Sequence, residues 1–247
     1  MDKASETTDS KVNENKENSD ASKNLSSAVA EEMFDKYKGN VVNIVAYHAH
    51  KGKEVFGSAG SGFFVKESGY KGPERCEFAT SNHVINPEKQ LDLSRLEITL
   101  DDGSRYSAKV LRQDKAHDLA ILKLEGVNEP EKVCKSLPLA DREPSDGEEM
   151  IRLNRTRWET DFRYGKFLEQ TNRNKQTLPE LDGEDINRRM LAFDHYHNVS
   201  HNFSGGPYIN SKGEIMAQHE GGQANKYSLA TPAADIAVEL KNLHSGK

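Results

Sequence analysis

From residue 40 onward, apolar positions fall in short clusters separated by turn-forming residues. Val41-Val42-Asn43-Ile44-Val45, Gly62-Phe63-Phe64-Val65, Leu96-Glu97-Ile98-Thr99-Leu100 and Leu119-Ala120-Ile121-Leu122-Lys123-Leu124 are rich in β-branched and aromatic side chains. Runs of that length and composition predict strands. Leu100-Asp101-Asp102-Gly103-Ser104 predicts a tight hairpin, because Asp-Gly tolerates the positive φ such a turn requires, and Ser211-Lys212-Gly213 predicts another turn. Many short strands separated by turns indicate an all-β barrel or sandwich. Helical spacing occurs only at the ends of this region. Ala30, Met33, Phe34 and Tyr37 predict a helix over Ser27–Tyr37 that Gly39 stops, and Ile236, Leu240 and Leu243 predict a closing helix with Thr231-Pro232 as its N-cap and first turn. The polar stretch Gln170–Asp185 reads as an exposed loop between strands.

The N-terminal segment has a different texture. Residues 1–26 carry four Lys against six Asp or Glu and few apolar side chains, so they cannot bury enough surface to offset the entropy of ordering. They predict a disordered acidic tail. That tail explains why only 34% of the chain's 247 residues are hydrophobic and why the mean hydropathy is −0.83. Three parts are therefore expected: the tail over 1–26, a helix and first barrel over 27–137, and a second barrel with the closing helix over 138–247.

Composition then removes several classes of function. No apolar run reaches the roughly 18 residues of a membrane span, and no signal-peptide core follows Met1. The formal charge of −6, without a basic block, argues against nucleic acid as a partner. Cys76 and Cys134 are too few for a disulfide scaffold and lack metal-ligand spacing; whether they pair is left open by spacing alone.

Three segments carry candidate chemistry. Ser204-Gly205-Gly206-Pro207 joins a hydroxyl to two glycines that let the main chain turn sharply and approach a substrate. A serine becomes a nucleophile only with a base beside it and donors for the oxyanion that forms. Ala79-Thr80-Ser81-Asn82-His83-Val84-Ile85 ends an apolar strand with a histidine, and Ala116-His117-Asp118-Leu119 sets an aspartate directly before another. Singly these read as a loop, a structural histidine and a turn former. In the order His, Asp, Ser they suit two barrels, one supplying a His-Asp pair and the other a nucleophile.

These segments resemble the trypsin-fold serine proteases, and among them the HtrA/Deg branch. The resemblance runs through Gly60-Ser61-Gly62-Phe63-Phe64-Val65, Ser81-Asn82-His83-Val84, the hairpin at Asp101–Gly103, Asp118-Leu119-Ala120-Ile121-Leu122-Lys123, Ser204-Gly205-Gly206-Pro207, Gly213-Glu214-Ile215-Met216 and Ser228-Leu229-Ala230-Thr231-Pro232. It covers roughly Asn40 to Ala237. It implies two six-stranded antiparallel barrels with the site in the cleft between them, as a protease domain without the PDZ module frequent in the family. By the same resemblance Ser204 is the nucleophile, His83 the general base and Asp118 its orienter, and the N–H groups of Asn202 and Ser204 form the oxyanion hole. Glu220, Gly221, Gly222 and Ser228 line the primary specificity pocket. Ser228 at its base disfavours a preference for basic residues, and a Glu220 carboxylate there would favour one.

The chain departs from the family pattern at two places. Asn202-Phe203 replaces Gly-Asn or Gly-Asp before the serine, and Leu153-Asn154-Arg155 stands where the family has Gly-Asn-Pro. Two patterns compete with the active-enzyme reading. His195, His197 and His201 have spacing that could hold a transition metal, with His48 and His50 a weaker pair; the alternative is thus a catalytically impaired protease fold used as a binding module. Asn198-Val199-Ser200 and Asn202-Phe203-Ser204 match the glycosylation sequon, and a glycan at Asn202 would block Ser204. A bacterial periplasm or cell envelope is therefore the expected location. Protein or peptide substrates are the expected partners, no cofactor is expected, and the oligomeric state is open.

Overall fold

A computed structural model describes residues 28–86, 92–173, 188–194, 204–223 and 227–246. The acidic tail lies outside them. The first helix, α1, covers residues 28–37 and passes into a single 3₁₀ turn, Lys38–Asn40, at the expected glycine.

Strands β1 (Val41–His50), β2 (Lys53–Lys66), β3 (Glu77–Ser81), β4 (Asp92–Thr99), β5 (Arg105–Asp114) and β6 (Leu119–Leu124) follow. They pair in the order β1-β4-β5-β6-β3-β2, and β2 returns to β1, closing a six-stranded antiparallel barrel. The hairpin between β4 and β5 is the one foreseen at Asp101–Gly103: Gly103 has φ +82°, and its N–H donates to the Leu100 carbonyl. One-turn helices α2 (Asn82–Ile85) and α3 (Pro130–Val133) interrupt the loops. A disulfide joins Cys76, before β3, to Cys134, after α3. The chain then crosses over. Strand β7 (Leu137–Pro138) pairs in parallel with β2, and the next residue, Leu139, bridges to Ile215.

The second barrel is closed by β8 (Glu149–Arg155), β9 (Thr160–Arg173), β10 (Arg188–Phe193), β11 (Pro207–Asn210), β12 (Ile215–Gln223) and β13 (Tyr227–Pro232), in the order β10-β13-β12-β11-β8-β9. The all-β, two-barrel expectation is thus met. Two local expectations are corrected. Gln170–Arg173 are not loop: they extend β9 and pair with Arg188–Leu191, because the main-chain ladder is satisfied whatever polarity the outward side chains have. Residues 174–187 lie outside the described part. At the C-terminus, Thr231 and Pro232 finish β13 and helix α4 begins one residue later, as Ala233–His244, with Pro232 as its N-cap. Thr231 makes no cap because its hydroxyl faces the barrel junction, beside the Glu220 carboxylate and 3.1 Å from the His117 carbonyl oxygen.

Strand alternation divides the core into layers. Val42, Ile44, Phe64, Phe78, Ile98 and Leu122 fill the first barrel. Their neighbours Val41, Phe63, Leu119 and Ile121 face the other way, meeting Ile151, Leu153, Ile209 and Ile215 of the second barrel and the apolar stripes of α1 (Met33, Tyr37) and α4 (Ile236, Leu240). Strands buried on both faces explain why the sequence shows continuous apolar runs instead of a period of two.

Candidate active site

The site is built where the two barrels meet. Helix α2 starts directly after β3, and its first two N–H groups have no intrahelical partner. Both are taken by Asp118: Asn82 N–H donates to the Asp118 carbonyl at 3.0 Å and His83 N–H to its Oδ1 at 2.8 Å. Asp118 Oδ2 lies 2.6 Å from His83 Nδ1. One carboxylate therefore holds both the main chain and the ring of the histidine. The arrangement fixes the Nδ1–H tautomer and leaves Nε2 as the nitrogen that accepts a proton. The Asp118 side chain is 11% exposed and the imidazole 47%, so the pair has a buried end and an open end.

Asp118 reaches that geometry through a left-handed backbone, φ +48°, which Asp tolerates better than most side chains. The turn before it is tied by Asp114, whose Oδ1 accepts from Ala116 and His117 N–H at 2.9 and 3.1 Å and whose Oδ2 lies 2.5 Å from His117 Nδ1. Burial raises the Asp114 carboxyl, but the His117 ring and the two N–H donors outweigh it and hold the group below its ordinary value. From the second barrel, the Gln218 amide donates to the Asp118 carbonyl and to Ser81 Oγ, each at 3.3 Å.

Ser204 opens the turn that leads into β11. Its carbonyl accepts from Ser61 N–H of β2 at 2.9 Å, and its hydroxyl donates to the Glu220 carbonyl at 3.0 Å. Gly205 has φ +86°. A Cβ there would stand 2.1 Å from the Ser61 carbonyl oxygen, 2.5 Å from Thr80 Oγ1 and 3.1 Å from Ser81 N, so the residue must be glycine on both steric and conformational grounds. Ser81 directly precedes the helix that bears His83. Likewise a Cβ on Gly60 would collide with Val84, the residue after His83, and lie 2.9 Å from the Ser204 carbonyl oxygen. These close approaches set His83, Asp118 and Ser204 around one junction although they come from different barrels.

The remaining expected residues divide. On β12, Gln218 and Glu220 point to the junction and His219 points into the second barrel. The Glu220 carboxylate accepts from the Thr231 hydroxyl, so it is occupied at the junction. Ser228 is fully buried on β13 opposite Gly222, and Arg152 Nη1 lies 3.3 Å from its hydroxyl. Asn202, His195, His197 and His201 lie outside the described residues, as do Asn198 and Phe203. Among the described residues no group of three or more His, Cys, Asp or Glu side chains could hold a metal ion. His48 is buried, and among the described residues neither ring nitrogen has a hydrogen-bond partner.

The stretch Leu153-Asn154-Arg155 forms a clamp between barrels. Arg155 N–H donates to Ser61 Oγ at 2.9 Å, its carbonyl accepts from the Asn43 amide at 3.3 Å, and its guanidinium pairs with Asp101 at 2.8 Å. Sequence reading missed Arg152, Gln218, His219 and Thr231. One signal was available: Arg152 interrupts the apolar run Met150-Ile151-Arg152-Leu153, where a cation has no evident reason to be.

Comparison with known proteins agrees with this architecture. A family model described as trypsin-like peptidase domain matches residues 60–217. A probable periplasmic serine endoprotease DegP-like of Pseudomonas putida is 27% identical over 190 residues, which cover 75% of this chain and 34% of that protein. Serine protease HTRA4 of Mus musculus is 24% identical over 205 residues, covering 78% of this chain and 36% of its own length. The DegP-like protein of Chlamydia muridarum is 35% identical over 71 residues, or 29% and 12% of the two lengths, so the chain spans 12–36% of these relatives. The Rv3671c protease of M. tuberculosis in its active form shares the fold, with a TM-score of 0.65 at 18% identity over 85% of this chain and 82% of that one. With a matching model over more than half its length and the fold to go with it, the chain belongs to the trypsin-like peptidase domain family and has HtrA/Deg proteins among its relatives.

Proposed function

We propose that this domain is a serine endopeptidase working through His83, Asp118 and Ser204. The observation that carries the reading is the double attachment of His83 to Asp118, through main chain and ring, at the junction where the Ser204 turn is pinned to Ser61. As the substrate carbonyl arrives, the Ser204 hydroxyl exchanges its bond to the Glu220 carbonyl for His83 Nε2 and attacks. His83 takes the proton and returns it to the leaving amine, and Asp118 stabilises the imidazolium between those steps. The N–H groups of Asn202 and Ser204 are the proposed oxyanion donors, each worth about 10²–10³ in turnover in such sites.

Exposed or unfolded segments of proteins are the proposed substrates, because an extended chain is what a cleft between two barrels accepts. An extracytoplasmic location is supported by the Cys76–Cys134 bridge, which persists in oxidising compartments, and by the periplasmic naming of the bacterial relatives. Labelling with a fluorophosphonate tests the assignment. The wild type is expected to label stoichiometrically and Ser204→Ala not at all. A wild type that never labels leaves the fold as a binding module.

A further inference from the structure

The interior of the second barrel changes character along its axis. At one end Met150, Leu191, Ala217 and Ala230 pack as ordinary core. Two residues further along three of these strands, on the same face, stand Arg152, His219 and, back toward the start of β13, Ser228. With Tyr208 they make a polar cluster in which every member is at most 3% exposed. Arg152 Nη1 lies 3.3 Å from Ser228 Oγ and 3.4 Å from the His219 ring, and Tyr208 Oη lies 3.4 Å from His219 Nδ1. Burial raises the Tyr208 phenol despite the nearby guanidinium, keeping it a neutral donor.

This polar end is the one beside the nucleophile. Tyr208 is four residues after Ser204. The main chain of His219 brackets the turn between them, its carbonyl accepting from Gly205 N–H at 2.8 Å and its N–H donating to the Gly206 carbonyl at 2.7 Å. The next carbonyl along β12, that of Glu220, receives the Ser204 hydroxyl. The His219 ring, on the strand position opposite Ala230, turns inward to Arg152, while Glu220, skipped in the register between His219 and Gly221, sends its carboxylate to Thr231 at the junction. Gly222, paired with Ser228, and Gly221 before it place no side chain over this end.

We propose that Arg152, with Ser228, His219 and Tyr208, forms the floor of the primary specificity pocket and receives a carboxylate, so that the enzyme cleaves after Glu or Asp. The proposal rests on the peptidase reading above and names its substrate class. A guanidinium is a fixed charge with a planar fork of donors that matches a carboxylate, and hydroxyl, phenol and imidazole N–H groups donate to the same anion. In a site removed from water that charge is worth far more than at the surface, and it rejects a basic side chain by direct repulsion. The same placement answers the question that Glu220 and Ser228 left open: the charge at the pocket is positive.

Internally quenched peptides that differ only at the residue before the scissile bond test this. Wild type is expected to cleave the Glu or Asp peptide with kcat/KM at least tenfold above the isosteric Gln peptide and above the Leu and Lys peptides. In Arg152→Met the Glu-to-Gln ratio is expected to fall toward one. Should Arg152→Met not fold, the wild-type profile stands alone as the test, and His219→Gln and Ser228→Ala are expected to lower the same ratio by smaller factors. A wild type that labels with fluorophosphonate yet cleaves Gln or Leu peptides as well as Glu overturns the acidic preference and leaves the peptidase reading intact. A wild type that neither labels nor cleaves any of the peptides overturns both.

Discussion

The two barrels have equal strand numbers and the same closure, yet they treat buried polarity in opposite ways. In the first, Val42, Ile44 and Ala46 face inward along β1, and His48 continues that alternation with both ring nitrogens unsatisfied. In the second, Arg152, His219, Tyr208 and Ser228 contact one another, and they gather at the end nearest Ser204. The first barrel thus works as a rigid mount: its polar chemistry, His83 and Asp118, sits outside the barrel at the junction. The second holds the Ser204 turn on its rim and a cationic cluster within. A polar group inside a core costs free energy unless partners or function retain it, and under the pocket proposal above that function is to read the substrate side chain.

Asp118→Asn probes the mount most severely. Turnover is expected to drop about 10⁴-fold with the fold kept, because the amide presents the wrong partner to Nδ1–H; steady-state kinetics beside circular dichroism checks this. A retained rate would break the division of labour. Next come two core truncations of similar size. Phe78→Ala in the first barrel and Phe193→Ala in the second are each expected to cost about 3–5 kcal/mol in denaturant unfolding. Only Phe193→Ala is expected to change substrate preference, because its ring stacks on Tyr208 at 3.9 Å while Phe78 packs edge-on to Phe64. Equal effects on preference would remove the contrast between the barrels.

A smaller effect of opposite sign is expected at His48. Replacing an unsatisfied buried imidazole with leucine of similar size, His48→Leu, should stabilise the protein by about 1–2 kcal/mol with no change in kinetics. The smallest effect concerns pH. Asp114 is held below its ordinary value in the folded chain, so its contribution is complete above the unfolded carboxyl pKa of about 3.9 and is lost as pH falls through the folded value. Stability measured below pH 4 should therefore decline less steeply in Asp114→Asn than in wild type.

Much of this arrangement can be read from local patterns. Asp-Gly at 102–103, the β-branched runs and the stripes of α1 and α4 announce their elements because turn geometry and side-chain periodicity act over a few residues. The order of His83, Asp118 and Ser204 announces two contributing bodies. Legibility stops where a polar residue inside a strand owes its place to a distant neighbour. Gln170–Arg173 look like loop, but β10 pairs with them; Thr231 looks like a cap, but His117 and Glu220 occupy its hydroxyl.

Glu220 and Arg152 show the boundary most clearly. Arg152 is visible in the sequence as a charge inside an apolar run and Glu220 as one beside two glycines, and the sequence left open whether Glu220 or Ser228 sets the character of the pocket. The direction of Arg152 is set by the pairing register of β8 with β11, where a shift of one residue would exchange inside for outside, and that of Glu220 by the irregularity that skips it between His219 and Gly221 in the pairing of β12 with β13. Local sequence thus determined the elements, the turn residues and the set of groups able to do chemistry. Closure of the second barrel decided which of them face the junction and which face the interior, because register is a property of paired strands and no single segment contains it.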